Sequence, residues 1–260
     1  MTVLRFADAG EAADLAAFLG RLIHYDRGAA VRLQAGGGVL AVFGRPPSFE
    51  VLAIRTARLA ERGADARAGA PGGASVGVEG GVGGLGLDVT VSAGELLEGI
   101  TESEGSVIVP AAVTGPPWAG VLPPRGGWTR VPGLPSPDAL VRTVSAAVAE
   151  FRARDEALPP QGRTRSERDR IGREIWSRTL GDTELPLRVV HAAQSLGFLR
   201  GATGAGVPGA RAGVGGAAPV VALLAAGGWL RLSTPYGSVA VRVGGPAGRT
   251  GLSGLTVTPV

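Results

Sequence analysis

The chain has no cysteine, no lysine and no asparagine, and among its 260 residues only two are histidines. Without cysteine there is no disulfide framework and no thiolate metal site. Two histidines, His24 and His191, stand without a second histidine or an acid cluster at ligand spacing, so neither reads as a metal ligand or a catalytic base. His24 reads as a helix-end cation beside Tyr25 and Asp26, and His191 as part of a mostly apolar helix. The missing lysine and asparagine, both A/T-rich in codon, point to a G+C-rich bacterial genome. Aromatic residues are scarce at 5%. There is no signal-peptide pattern, because Asp8, Glu11 and Asp14 interrupt the start. One uncharged stretch, Ala212 to Leu230, is long enough to raise a membrane question but holds five glycines and Pro219, too poor in apolar residues for a membrane span. A cytoplasmic protein with no membrane association is the expectation.

What is present is glycine, 44 residues of it, with 19 prolines, 45% hydrophobic and 18% charged residues. That balance excludes a wholly disordered chain. The predicted pI of 10.7 reports arginine, which stays protonated, more than an excess of charge, since the net charge is only +4. Charge is nevertheless uneven. Residues 64–104 hold Arg67 against Asp65, Glu79, Asp88, Glu95, Glu98, Glu102 and Glu104, whereas residues 185–260 hold Arg188, Arg200, Arg211, Arg231, Arg242 and Arg249 with no acid. Two readings fit: the regions complement each other within the fold, or the second offers a basic face to an acidic partner.

Periodicity predicts an α+β fold of antiparallel sheets, built from hairpins packed against helices. Strands are expected at Val3–Phe6, Ala30–Gln34, Val39–Phe43, Glu50–Ala57, Leu87–Val91, Ser106–Val113, Val220–Ala225, Trp229–Ser233 and Ser238–Val243. Helices are expected at Glu11–Ile23, Ala93–Ile100 (capped by Ser92), from Pro137 behind Ser136, at Ser166–Thr179 and at Pro186–Leu196. In the fourth of these, Asp169/Arg173, Arg170/Glu174 and Glu174/Arg178 are four apart and opposite in charge. The organisation expected is an N-terminal module over 1–114 with a glycine-rich loop at 63–86, a Pro/Trp-rich strap over 115–135, and a C-terminal module over 136–260. That second module has three helices, a glycine-rich loop at 201–218, then strands. Val31–Phe43 aligns with Leu230–Arg242 at five identical positions, so two related halves are one reading and chance likeness of two amphipathic hairpins the other.

Several motifs tempt. Gly81–Gly86 fits G-x-G-x-x-G, but a dinucleotide site needs a strand before and a helix after, and here a glycine run precedes and a strand follows. Gly73–Gly77 fits G-x-S-x-G without the strand–turn–helix that would expose Ser75 as a nucleophile. Both read as chance matches in a glycine-rich chain, so no catalytic, cofactor-binding or metal-ligating residue is assigned, and no cofactor is expected. Two groups remain as candidate contact surfaces. Trp118 and Trp128 could form a binding strap or cover a sheet face. Arg163, Arg165 and Arg168 could meet phosphates, as could Arg231 and Arg242 in the acid-free region, or they could sit in a solvated, salt-bridged surface.

The element order of residues 3–100 resembles the first part of a DNA sliding-clamp domain. Within it, Leu87-Asp-Val-Thr-Val-Ser-Ala-Gly-Glu-Leu-Leu-Glu-Gly-Ile100 is similar to the strand and short helix of such domains, and Asp138-Ala-Leu-Val-Arg-Thr-Val resembles the opening of a next one. The likeness is one of order and covers about half the chain; beyond Phe151 two added helices stand where strands would follow. It implies a nucleic-acid partner, although the basic helical face of a clamp is represented in Glu11–Ile23 by Arg21 alone. The expectation carried forward is a non-enzymatic interaction or scaffold protein with a protein partner. The alternative is a nucleic-acid-associated protein using the basic C-terminal region, and the third reading an enzyme of unreadable class. Hairpin edges leave pairing into a homo-oligomer open.

Overall fold

A computed structural model describes residues 2–60, 86–200 and 221–243. The motif at Gly73–Gly77, residues 81–85 of the G-x-G-x-x-G match, the loop at 201–218, Arg211 and Arg249 lie outside the described residues. The fold is α+β: five α-helices among the described residues, with antiparallel sheets of three and eight strands. Two units divide it, 1–44 with 55–120, and 45–54 with 121–260.

In the first unit, β1 (Thr2–Arg5) leads to α1 (Ala9–Tyr25). Asp8 starts that helix by accepting from the Glu11 N–H at 3.1 Å. Leu15, Phe18, Leu19 and Leu22 recur at helical spacing and are fully buried, each contributing about 2 kcal/mol. Strands β2 (Ala30–Gly36), β3 (Val39–Gly44) and β4 (Leu52–Arg58) follow, and β5 (Leu87–Ser92) adds beside β2. Ser92 caps α2 (Ala93–Glu98), shorter than periodicity predicts, because Ile100–Thr101 turns into β6 and pairs with β7 (Ser106–Val109). β7 also pairs with β1, completing the three-stranded sheet.

An ionic cluster lies under α1. Glu11 and Arg55 are 4% and 5% exposed, yet neither is stranded. Arg55 Nη2 donates to Glu11 Oε2 at 3.4 Å and to Asp14 Oδ2 at 3.0 Å, while Arg58 Nε reaches Glu11 Oε1 at 3.0 Å. Two arginines of β4 thereby hold two acids of α1, which satisfies charges that burial alone would penalise.

In the second unit, β8 (Thr129–Val131) precedes three helices. Ser136 caps α3 (Pro137–Glu156) and Thr164 caps α4 (Arg165–Trp176), each accepting from a main-chain N–H three residues on; α5 (Leu187–Ser195) follows. α3 packs on both α4 and α5. Leu140, Val144, Ile171, Ile175 and Val190 are buried among these helices, while Val148 and Phe151, at helical spacing from Leu140 and Val144 on α3, remain half-buried. Strands β9 (Ala222–Ala226), β10 (Trp229–Thr234) and β11 (Gly237–Arg242) form a meander, with β8 beside β9 and Leu52–Ile54 of β4 beside β11. α5 packs against β11.

Both units contain the same turn. Gly37-Gly38 (φ +59 and +76) joins β2 to β3, with Gly36 facing Val39; Gly227-Gly228 (φ +52 and +76) joins β9 to β10, with Ala226 facing Trp229. Left-handed backbone at both central residues is the hairpin geometry that glycine supplies without strain. The meander β2-β3-β4 therefore matches β9-β10-β11. The residue-for-residue alignment of Val31–Phe43 with Leu230–Arg242 falls one strand late, because β10 and β11 turn at Pro235-Tyr236 in a different register. Alternating apolar residues occur in every such strand, and only the turn glycines fix which hairpin corresponds.

Candidate functional site

Register places three arginines on one face of the second unit's sheet. Arg130 and Arg231 both pair with Leu224, and Arg242 pairs with Trp229, two residues from Arg231. Directly paired residues of antiparallel strands project from the same face, as do residues two apart. β8 to β11 contain no acid. Arg130 and Arg242 are exposed and, among the described residues, form no ion pair.

Arg231 is the most constrained of the three. Its Nε donates at 2.8 Å to Ser238 Oγ, and Ser238 is 1% exposed. Its guanidinium lies 5.7 Å from the centre of the Trp128 ring, a cation–π distance. The indole is itself held by a 3.0 Å bond from Nε1 to the Pro124 carbonyl oxygen. Burial pulls the Arg231 pKa below the ordinary arginine value, and no carboxylate contributes to the shift. The group still stays protonated, so a half-buried cation without an anion remains. Its two terminal nitrogens donate to nothing among the described residues, which leaves the forked edge that pairs with carboxylate or phosphate.

The structure thus brings together two residues that the sequence offers separately, Trp128 from the strap and Arg231 from the acid-free region. Arg242 joins them on the same face. Trp118 belongs to the first unit, where it is half-buried in a 3-10 turn at Pro117–Gly120. The remaining arginines have other work. Arg163 donates to the Leu158 and Glu156 carbonyls at 3.1 Å each, closing the end of α3. Arg168 pairs with Asp155 at 2.7 Å, and the exposed Arg165 stands 3.9 Å from Asp169. Of the three predicted pairs within α4's sequence, Arg170–Glu174 and Arg178–Glu174 are met at 3.7 Å each. Glu174's shorter bonds cross to Arg154 on α3, at 2.8 Å to both oxygens, and hold its carboxyl down to about 2. Arg130 and Ser238 escape sequence reasoning: a three-residue strand shows no period, and Ser238 gains meaning only through its partner.

A cleft lies between α3 and α5. Its volume is about 470 Å³, and it is lined by Val144, Ser145, Val148, Arg152, His191, Gln194 and Ser195. His191 stacks on Trp176, centroids 4.2 Å apart, with the Phe49 ring edge-on at 5.1 Å. Burial pushes its pKa below the ordinary histidine value, so at neutral pH it is uncharged. Among the described residues no hydrogen bond joins it to Ser145 or Ser195, and no carboxylate lines the cleft. His24 ends α1 with its ring edge-on to Tyr25. Among the described residues no three His, Cys, Asp or Glu groups gather as a metal site, and no helix is long and apolar enough to cross a membrane.

This geometry defines a two-unit α+β protein with a basic sheet face. Residues 1–120 match the model of a domain of unknown function, DUF8010, and residues 123–246 match that of another, DUF8185. No curated protein and no solved structure matches the chain.

Proposed function

We propose that the chain is a non-enzymatic interaction protein of the cytoplasm that receives an acidic protein partner on the sheet face of its second unit. The observation that carries this reading is the trio Arg130, Arg231 and Arg242 on β8, β10 and β11, strands without an acid, while Arg154, Arg168, Arg170 and Arg178 of the helical layer are already paired. Arg231, oriented by Ser238 and Trp128, is the fixed anchor; exposed Arg130 and Arg242 attract the partner over a longer range.

Nucleic acid is the second reading, favoured by the Arg231–Trp128 contact, since an indole beside a guanidinium can also stack on a base. One titration separates the two. The purified chain is mixed with poly-L-glutamate and with single- and double-stranded DNA over a salt series. Tighter retention of poly-L-glutamate, abolished in Arg231→Glu/Arg242→Glu, supports the protein reading. Tighter DNA binding that weakens steeply with salt replaces it with the second. Absence of binding to either probe at low salt removes both.

A further inference from the structure

We propose that the cleft between α3 and α5 is a second site, for a small amphipathic carboxylate with an aliphatic body. Its volume, about 470 Å³, lies within the range of small-molecule pockets. Val144, Val148 and Arg152 recur every four residues along α3, so an apolar floor ends in a cation. Across from them, His191, Gln194 and Ser195 line one side of α5, with Ser145 adding a hydroxyl beside Val144. These groups are neutral hydrogen-bonding partners, and the histidine is held in place: Trp176 and Phe49 clamp the His191 ring.

The charge identifies the occupant. Arg152 is the single charged side chain in the lining, and among the described residues it forms no ion pair. Of the acids of α3 near it, Glu150 pairs with Arg178 and Asp155 with Arg168, while the exposed Glu156, one turn beyond Arg152, lies outside the cleft lining. An anion entering the cleft would meet one guanidinium and no repelling carboxylate, and its chain would cover Val144 and Val148. A cation of the same shape would gain the apolar contact alone. None of these residues belongs to the sheet face around Arg231, so the two sites can fail independently.

The test is a titration of the full-length protein with octanoate, followed by amide resonances, with octanol and octylammonium as controls. Saturable shifts at Ser145, Val148, His191 and Ser195, and binding about tenfold tighter for octanoate than for octanol, are expected from one charge-assisted pair. Arg152→Gln should remove that preference while leaving the octanol affinity and the melting temperature unchanged. Ser195→Trp, which fills the cleft without touching the arginine, should abolish binding of both. Arg231→Glu should alter neither. Equal affinity for octanoate and octanol, a preference that survives Arg152→Gln, or shifts that map outside the cleft would overturn the proposal. So would the absence of any shift, or a response at the same amides to an acidic hexapeptide but not to octanoate.

Discussion

The first unit answers Arg55 and Arg58 of its sheet with acids, whereas the second leaves the strand arginines Arg130, Arg231 and Arg242 without an ion pair among the described residues. Both contain a three-stranded meander entered through a Gly-Gly turn in the same register, with a fourth strand beside the first of the meander. In the first, Arg55 and Arg58 on β4 are answered by Glu11 and Asp14 of α1 and by its N-cap Asp8. In the second, Arg130, Arg231 and Arg242 lie on strands with no acid, and Glu150, Asp155 and Glu174 of α3 and α4 are matched with arginines of their own layer. The same scaffold thus carries a charge cluster that fixes structure in one unit and cations available to a partner in the other.

The largest effect should come from breaking the first cluster. Arg55→Ala leaves the buried Glu11 and the half-buried Asp14 without a guanidinium, and should lower the urea-unfolding free energy by about 3 kcal/mol. A loss near zero would mean that Arg58 alone satisfies Glu11. Next come the matched turns. Gly37→Ala and Gly227→Ala each put a Cβ on left-handed backbone where nothing else crowds it within about 3.5 Å, so each should cost about 1 kcal/mol. Unequal costs would show that the two meanders are not equivalent.

A smaller effect depends on pH. The folded-state pKa of His191 is lowered by burial, so the unfolded chain binds the proton more readily. The stability from keeping the ring neutral is fully present above about pH 6.5, the ordinary histidine value, and is lost as pH falls below it toward the folded value. The urea midpoint of the wild type should therefore fall more between pH 7 and pH 5 than that of His191→Phe. Parallel curves would contradict this. Least of all should be felt at the open arginines: Arg130→Glu and Arg242→Glu, both exposed and without an ion pair among the described residues, should each change stability by no more than about 0.5 kcal/mol. A larger loss would make them structural, like Arg55.

Most elements are legible because their signals are local. Asp8, Ser92, Ser136 and Thr164 each accept from a main-chain N–H at the start of a helix, and the Gly-Gly pairs sit between alternating strands. Where reading fails, the deciding contact is distant in sequence. Periodicity finds the strand that becomes β4 (expected at Glu50–Ala57), but nothing local shows that its Leu52–Ile54 pair with β11, some 185 residues on. The same holds for the site. Arg231 and Trp128 each stand out, but their contact spans about a hundred residues, and Arg130 sits in a strand too short to show alternation. Arg163 and Arg168 look available for phosphate because the return of α4 along α3, which turns them toward Asp155 and the end of α3, leaves no mark in either helix alone.

The central claim is that the open arginines of the second unit bind an anionic partner. Its most direct test is tryptophan fluorescence of the full chain titrated with poly-L-glutamate at low and at high salt, for wild type and for Arg130→Glu/Arg231→Glu/Arg242→Glu. The account predicts a saturable change in the wild type, screened by salt and absent from the triple variant, with both proteins melting at nearly the same temperature. A change of equal size and affinity in the triple variant, or none in the wild type at low salt, would contradict it.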